Sequence, residues 1–180
     1  MEHLRLPKDR VGVAIGPDGG VKREIERRSG AKITLDSETG EATIQRGEDP
    51  LSVLQVKDIL NAIARGFSAE RAYRLFDESN YFEVIDITDM IGRSDKALVR
   101  IKGRVIGEGG KTRRIIEETT GAYMSVYGKT IALIGAPEQL SIAREAIEML
   151  LRGVPHSVVY RFLEKKRREF KKKSIEIWKR

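Results

Sequence analysis

The chain contains itself twice, and this repeat constrains the fold more than any other feature. Ile15–Leu35, IGPDGGVKREIERRSGAKITL, lies over Ile106–Val126, IGEGGKTRRIIEETTGAYMSV, at an offset of 91 residues without a gap. Gly16 meets Gly107, Gly19 meets Gly110, Gly30 meets Gly121, Ala31 meets Ala122 and Ile25 meets Ile116. Lys22 and Arg23 pair with Arg113 and Arg114. The first copy then carries a hairpin three or four residues longer, and the register resumes at an offset of 87. There Pro50 meets Pro137, and Ala64-Arg65-Gly66 meets Leu151-Arg152-Gly153. Matches at this many conformationally special positions identify a tandem duplication.

Each copy reads as one small unit. A short strand is expected first, over Glu2–Leu6 in copy one and Ala97–Lys102 (ALVRIK) in copy two. A brief helical turn and a glycine loop follow. A helix comes next, over Val21–Ser29 or Thr112–Thr120, ended by Gly30 or Gly121 in the left-handed conformation that stops helices. Two strands are joined through Asp36–Gly40, or more tightly through Tyr127-Gly128-Lys129. A helix opened by Pro50 or Pro137 closes the unit. In the first of these, Val53, Val56, Ile59, Leu60 and Ile63 share one face. The order is β-α-α-β-β-α. Ser68–Glu78 reads as a further helix, Tyr81–Ile87 as a strand between the copies, and Ser157–Lys173 as a long basic helix. The division expected is a first domain over 1–77, a connecting segment over 78–94, a second domain over 95–153, and a basic helix over 154–180 packed with the second domain.

Charge is distributed unevenly. Residues 161–180 hold ten Lys and Arg against three acids, which accounts for the whole net charge of +7, and the first 160 residues carry 24 of each sign. A basic block of this kind suits a polyanionic partner, nucleic acid foremost, through counterion release, although a solvated helix face has the same composition. With no cysteine there is no disulfide scaffold, no thiolate-bound zinc or iron–sulfur cluster and no thiol nucleophile. His3 and His156 have no partners at metal-ligand spacing, so neither metal nor cofactor is expected. The charged N-terminal stretch lacks an apolar signal core and no apolar run reaches membrane-spanning length, which points to a cytoplasmic protein with no membrane partner.

The loop Gly107–Thr112, GEGGKT, looks like the end of a nucleotide phosphate loop. That loop needs G-x-x-x-x-G-K-[ST], and the position of its first glycine holds Val105. The partner copy has Gly19-Gly20-Val21, with neither the lysine nor the hydroxyl. No G-x-G-x-x-G is correctly placed either. Gly16-Pro17-Asp18-Gly19 and Gly107-Glu108-Gly109-Gly110 do fit the G-x-x-G of the K-homology (KH) domain, whose loop clamps a single-stranded nucleic-acid backbone. Glycines let the sugar–phosphate chain approach closely, and the next helix offers free amides and the positive end of its dipole. The expected class is therefore α+β: two tandem type I KH domains, each a three-stranded antiparallel sheet with helices on one face, plus the C-terminal basic helix.

Three longer stretches carry a resemblance beyond the module: Ala62–Glu78 (AIARGFSAERAYRLFDE), Arg104–Gly128 (RVIGEGGKTRRIIEETTGAYMSVYG) and Gly153–Lys171 (GVPHSVVYRFLEKKRREFK). Across nearly the whole chain these resemble the archaeal branch of the Partner of Nob (Dim/Pno) family of ribosome-assembly proteins. The resemblance implies a non-catalytic protein that binds single-stranded RNA near the 3′ end of small-subunit rRNA and assists its maturation. It also implies contact with the trimming endonuclease Nob and other assembly factors, and no small-molecule substrate. A KH-based protein scaffold or a general RNA-binding regulator is the alternative.

The copies are unequally equipped. Arg100, Lys102, Arg104, Lys111, Arg113 and Arg114 face only Glu108 around the second loop, whereas Lys8, Arg10, Lys22 and Arg23 face Asp9 and Asp18 around the first. RNA binding is accordingly assigned to Lys102, Arg104, Val105, Ile106, Gly107, Glu108, Gly109, Gly110, Lys111, Arg113, Arg114 and Met124. In this set the loop backbone and cations position phosphates, and an aliphatic floor of Val105, Ile106, one of Ile115 and Ile116, and Met124 receives bases. Gly16, Pro17, Asp18, Gly19, Lys22 and Arg23 form a weaker counterpart. In the tail, Val158, Val159 and Phe162 dock the helix while Arg161, Lys165 and Arg168 reach RNA phosphates. Tyr123, Tyr127 and Trp178 are candidates for stacking on bases.

Overall fold

The computed structural model describes residues 1–179. It divides into two compact units, Met1–Phe82 and a second from Glu83 onward. The first unit runs β1 (Glu2–Arg5), α1 (Lys8–Ile15), α2 (Gly20–Ser29), β2 (Lys32–Leu35), β3 (Glu41–Gln45) and α3 (Pro50–Ala64). It continues through the short α4 (Ala69–Ala72) and a 3₁₀ turn, Tyr73–Phe76. Its sheet has the order β1-β3-β2, antiparallel throughout, with Ile44 of β3 opposite both Glu2 and Ile33. Ala42 and Ile44 alternate inward along β3 and meet the face of α3 that carries Val56, Ile59, Leu60 and Ile63, all buried. Asp49 caps α3 by accepting from the Leu51 amide at 2.9 Å, and Pro50 occupies its first turn.

The second unit repeats the order with additions. β4 (Tyr81–Asp86) is followed by the short α5 (Thr88–Ile91), α6 (Asp95–Ile106), α7 (Lys111–Thr120), β5 (Tyr123–Tyr127), β6 (Thr130–Gly135), α8 (Pro137–Leu151) and α9 (His156–Trp178). Its sheet is ordered β4-β6-β5, so both units are three-stranded antiparallel sheets with helices, as the repeat requires.

Three expectations are corrected here. The ALVRIK stretch is not a strand: Ala97–Lys102 lies inside α6, which Ser94 caps by accepting from the Ala97 amide at 3.2 Å. Ile101 and Val105, one turn apart, supply its buried face. The first strand of copy two is instead Tyr81–Asp86, so the supposed connecting segment supplies a strand to the second sheet. The helical turn before each glycine loop is a full helix, eight residues in copy one and twelve in copy two. Within the second core, Val105, Ile116, Met124, Ile131, Leu133, Leu140 and Ile147 pack together with Val159 and Leu163 of α9. The C-terminal helix is thus part of that unit. Val159 docks as expected, Val158 and Phe162 are only half-buried, and Leu163 takes the second inward place.

The two copies also share hidden braces. Glu26 accepts the Ile33 amide at 2.7 Å, and Glu117 accepts the Met124 amide at 2.9 Å. Ser29 and Thr120 each donate to a carbonyl one turn back, Ile25 or Ile116, and each accepts the amide two residues on. All of these pairs stand 91 residues apart, so the helix-to-strand corner was duplicated with its hydrogen bonds.

Candidate nucleic-acid interface

Both glycine loops adopt one backbone conformation. Gly16, Asp18 and Gly19 have φ of 73°, 52° and 73°, and Gly107, Gly109 and Gly110 have 76°, 59° and 77°. All have positive φ, which L-residues other than Asn and Asp adopt reluctantly. The first glycine of each motif pairs it with an extended ψ of 174° or 169°, and the later residues are left-handed helical. Asp18 is the one non-glycine residue with positive φ among the described residues.

The two glycines of each motif do different jobs. A Cβ on Gly16 would lie 2.8 Å from the Val21 amide nitrogen, and one on Gly107 would lie 2.7 Å from that of Thr112. The first glycine therefore closes the loop onto the helix behind it. Around Gly109 and Gly110 a Cβ would meet nothing within 4 Å. The later glycines keep the outer surface of the loop bare, and Gly19 or Gly110 starts the next helix from the left-handed conformation.

The cations differ between the copies in a way composition could not show. Lys111, Arg113 and Arg114 are exposed on the first turn of α7, and no described residue neutralises them. Of the equivalent pair in copy one, Lys22 lies 3.5 Å from Glu26, and Arg23 folds back over Gly19, where a Cβ would come within 3.1 Å of its guanidinium. Farther along α2, Arg27 forms a two-pronged pair with Glu24 at 2.7 and 2.9 Å, and Arg28 stacks 4.0 Å above the Phe76 ring. The first loop is intact, but one of its two adjacent cations is paired within its own unit and the other lies over the loop glycine.

Several residues assigned to the second site have other work. Val105 and Met124 are buried in the core, at 0% and 1% exposure, because each faces the sheet–helix interior rather than the loop. Neither side chain is available to a base. Of the two candidate isoleucines, Ile116 is buried and Ile115 is half-exposed, one position round the helix from it, beside Lys111 and Arg114. The apolar surface next to the loop is therefore Ile106 and Ile115. Arg104 is a clamp: its Nε donates to the Leu150 carbonyl at 3.2 Å and its Nη2 to the Val154 carbonyl at 2.8 Å. His156 Nε2 in turn donates to the Arg104 carbonyl at 2.9 Å. Lys102 is half-exposed, Glu108 and Gly109 are exposed, and Arg161, Lys165 and Arg168 lie exposed along α9.

Arg104 has a counterpart that the alignment hides. Arg10 donates to the carbonyls of Ile63 at 2.8 Å and Phe67 at 2.6 Å, which are the residues 87 positions before Leu150 and Val154. Counted back from the loop glycine, however, Arg10 stands six residues before Gly16 and Arg104 three before Gly107. The clamp survives in both copies from different turns of the helix. A second feature missed by sequence is Thr112, which is 1% exposed and shares a 2.8 Å hydrogen bond with the hydroxyl of Tyr160 on α9.

Comparison with known proteins agrees with this architecture. A model of the eukaryotic type KH domain (KH-domain type I) matches residues 81–168, and a KH domain model matches residues 1–62. The chain is 48% identical over 183 residues to a KH domain-containing protein of Methanocaldococcus jannaschii, covering all of this chain and 80% of that one. It superposes with a TM-score of 0.87 on a chain of the a/eIF2alpha-aDim2p-rRNA complex from Pyrococcus horikoshii OT3, at 53% identity, covering 93% of this chain and 94% of that one. It is 34% identical over 141 residues to the pre-rRNA-processing protein PNO1 of Chaetomium thermophilum, covering 77% of this chain and 49% of that protein. The chain thus spans about half the length of that eukaryotic relative.

Proposed function

Because this chain belongs to the tandem KH family that includes archaeal Dim2p and eukaryotic PNO1, we propose that it is a non-catalytic RNA-binding protein of small-subunit rRNA processing. Its second loop grips a single strand in the 3′ region of that rRNA. The carrying observation is the pairing of an outward-bare glycine loop with three cations, Lys111, Arg113 and Arg114, that have no partner among the described residues. Phosphates lie along the Gly107–Gly110 backbone and these cations, with Arg161, Lys165 and Arg168 as outlying contacts. Ile106 and Ile115 form the apolar floor for bases. The first loop contributes weakly, because Lys22 is paired with Glu26 and Arg23 lies over the loop glycine. The rRNA-trimming endonuclease Nob and other assembly factors are the protein partners of this reading, and the cytoplasm is its compartment. Among the described residues no helix is long and apolar enough to cross a membrane.

The test replaces Glu108 and Gly109 by aspartate together. Gly109 tolerates this change because its left-handed φ suits aspartate and its Cβ direction is open. Affinity for a fluorescent oligonucleotide copying the 3′ end of small-subunit rRNA falls by an order of magnitude or more, while the unfolding temperature stays near wild type. Unchanged affinity in the folded double variant overturns the assignment of the second loop.

A further inference from the structure

We infer that α9 is a positioning strut for the second glycine loop, acting through the hydrogen bond between Tyr160 and Thr112. This rests on the RNA-binding reading of that loop and adds residues which need not touch RNA at all.

Thr112 is the second residue of α7, and its side chain lies directly behind Gly107. A Cβ built on Gly107 would collide with the Thr112 hydroxyl and would sit 2.8 Å from its Cβ. The Thr112 hydroxyl is therefore packed directly against the Gly107 turn. The Tyr160 hydroxyl, 2.8 Å away on the first turns of α9, fixes it. One turn earlier on α9, His156 donates to the Arg104 carbonyl, three residues before the loop begins. The two helices flanking the loop are thus held by neighbouring turns of a single third helix. His156 and Tyr160 also meet ring edge to ring, with centroids 6.1 Å apart. Below this point Val159 and Leu163 are fully buried, which anchors α9 in the core and makes it a stiff support.

Copy one has no such arrangement. The residue matching Thr112 is Val21, which offers only a methyl against Gly16 and no hydroxyl to hold. The hydrogen bond is specific to the copy whose cations are free. It spans 48 residues of sequence, and it joins the loop to the helix that carries the basic tail.

Three variants test the strut: Tyr160→Phe removes one hydroxyl, Thr112→Val copies the first unit, and Thr112→Ser keeps the hydroxyl as the rescue. Two readouts are needed. The first is hydrogen exchange of the Gly109–Arg113 amides without RNA. Tyr160→Phe and Thr112→Val accelerate it and Thr112→Ser does not. The second is affinity for the same oligonucleotide across a salt series. Both disruptive variants weaken binding by about three- to tenfold, the scale of one net hydrogen bond, and leave the salt slope unchanged, because no phosphate contact is lost. Unaltered amide exchange in both disruptive variants overturns the strut. Unchanged affinity in both disruptive variants, despite faster amide exchange, also overturns it, since the loop would then bind RNA without the support of α9. If the Glu108/Gly109 double aspartate binds RNA normally, the function assigned to the loop fails, and the exchange measurement still decides whether α9 positions it.

Discussion

Gly107 and Gly109 sit two residues apart and both have positive φ, yet their surroundings predict different costs. Gly107→Ala must push Thr112 aside as well as adopt a left-handed φ, and loses roughly 2–3 kcal/mol of stability in urea unfolding. Gly109→Ala meets open space and loses about 1 kcal/mol. Arg104 and Lys111 are the second contrasting pair. Arg104→Met strands two carbonyl acceptors and costs about 2 kcal/mol of stability, while the salt dependence of RNA binding keeps its slope. Lys111→Ala leaves stability unchanged and lowers that slope by about 0.7, the value of one single-strand phosphate contact. The sequence marked Arg104 and Lys111 alike as cations near a loop. Only side-chain geometry separates a residue that spends its donors on carbonyls from one that keeps them for a ligand.

Among the elements, the helix–strand corners, the hairpins and the proline-started helices were legible because each is specified locally, by a capping glycine, a turn or a periodic face. The first strand of copy two was not. Its residues Tyr81–Asp86 read as a strand, but α5 and four extra residues of α6 push it away from the loop and out of register with β1. The apolar run of ALVRIK then made a helix look like the missing strand. Val105 and Met124 were misplaced for a related reason, since a buried core position beside a loop has the same composition as an apolar binding floor. One turn gives a pH prediction. Asp36 opens the β2–β3 connection, and the amides of Thr39 and Glu38 hold its carboxyl below the usual range. The folded form is therefore favoured by the ionised group at any pH above the unfolded value of about 3.9, and that contribution disappears as pH falls through the lower folded value. The stability gap between the wild type and Asp36→Asn stays constant above that range and narrows below it, as acid titration of thermal unfolding measures.

At the scale of the whole molecule, duplication produced two loops of one conformation and left more unpaired charge beside the second. Replacing Arg113 and Arg114 together by alanine weakens RNA binding at least tenfold more than the matched change at Lys22 and Arg23, in paired titrations at one salt concentration. Equal losses would mean that the first loop carries an equal share. The repeat itself was plain in the sequence, whereas this division of labour was not, since it depends on which carboxylates and rings stand within reach of each cation. The arginine clamps extend the history of the two copies. Arg10 and Arg104 secure matching carbonyls from positions three residues out of step, with Ile101 and Val13 at the vacated places. No single substitution converts one solution into the other without passing through a form that has both arginines or none. Grafting residues between the units by alignment alone would therefore dismantle the clamp it meant to copy.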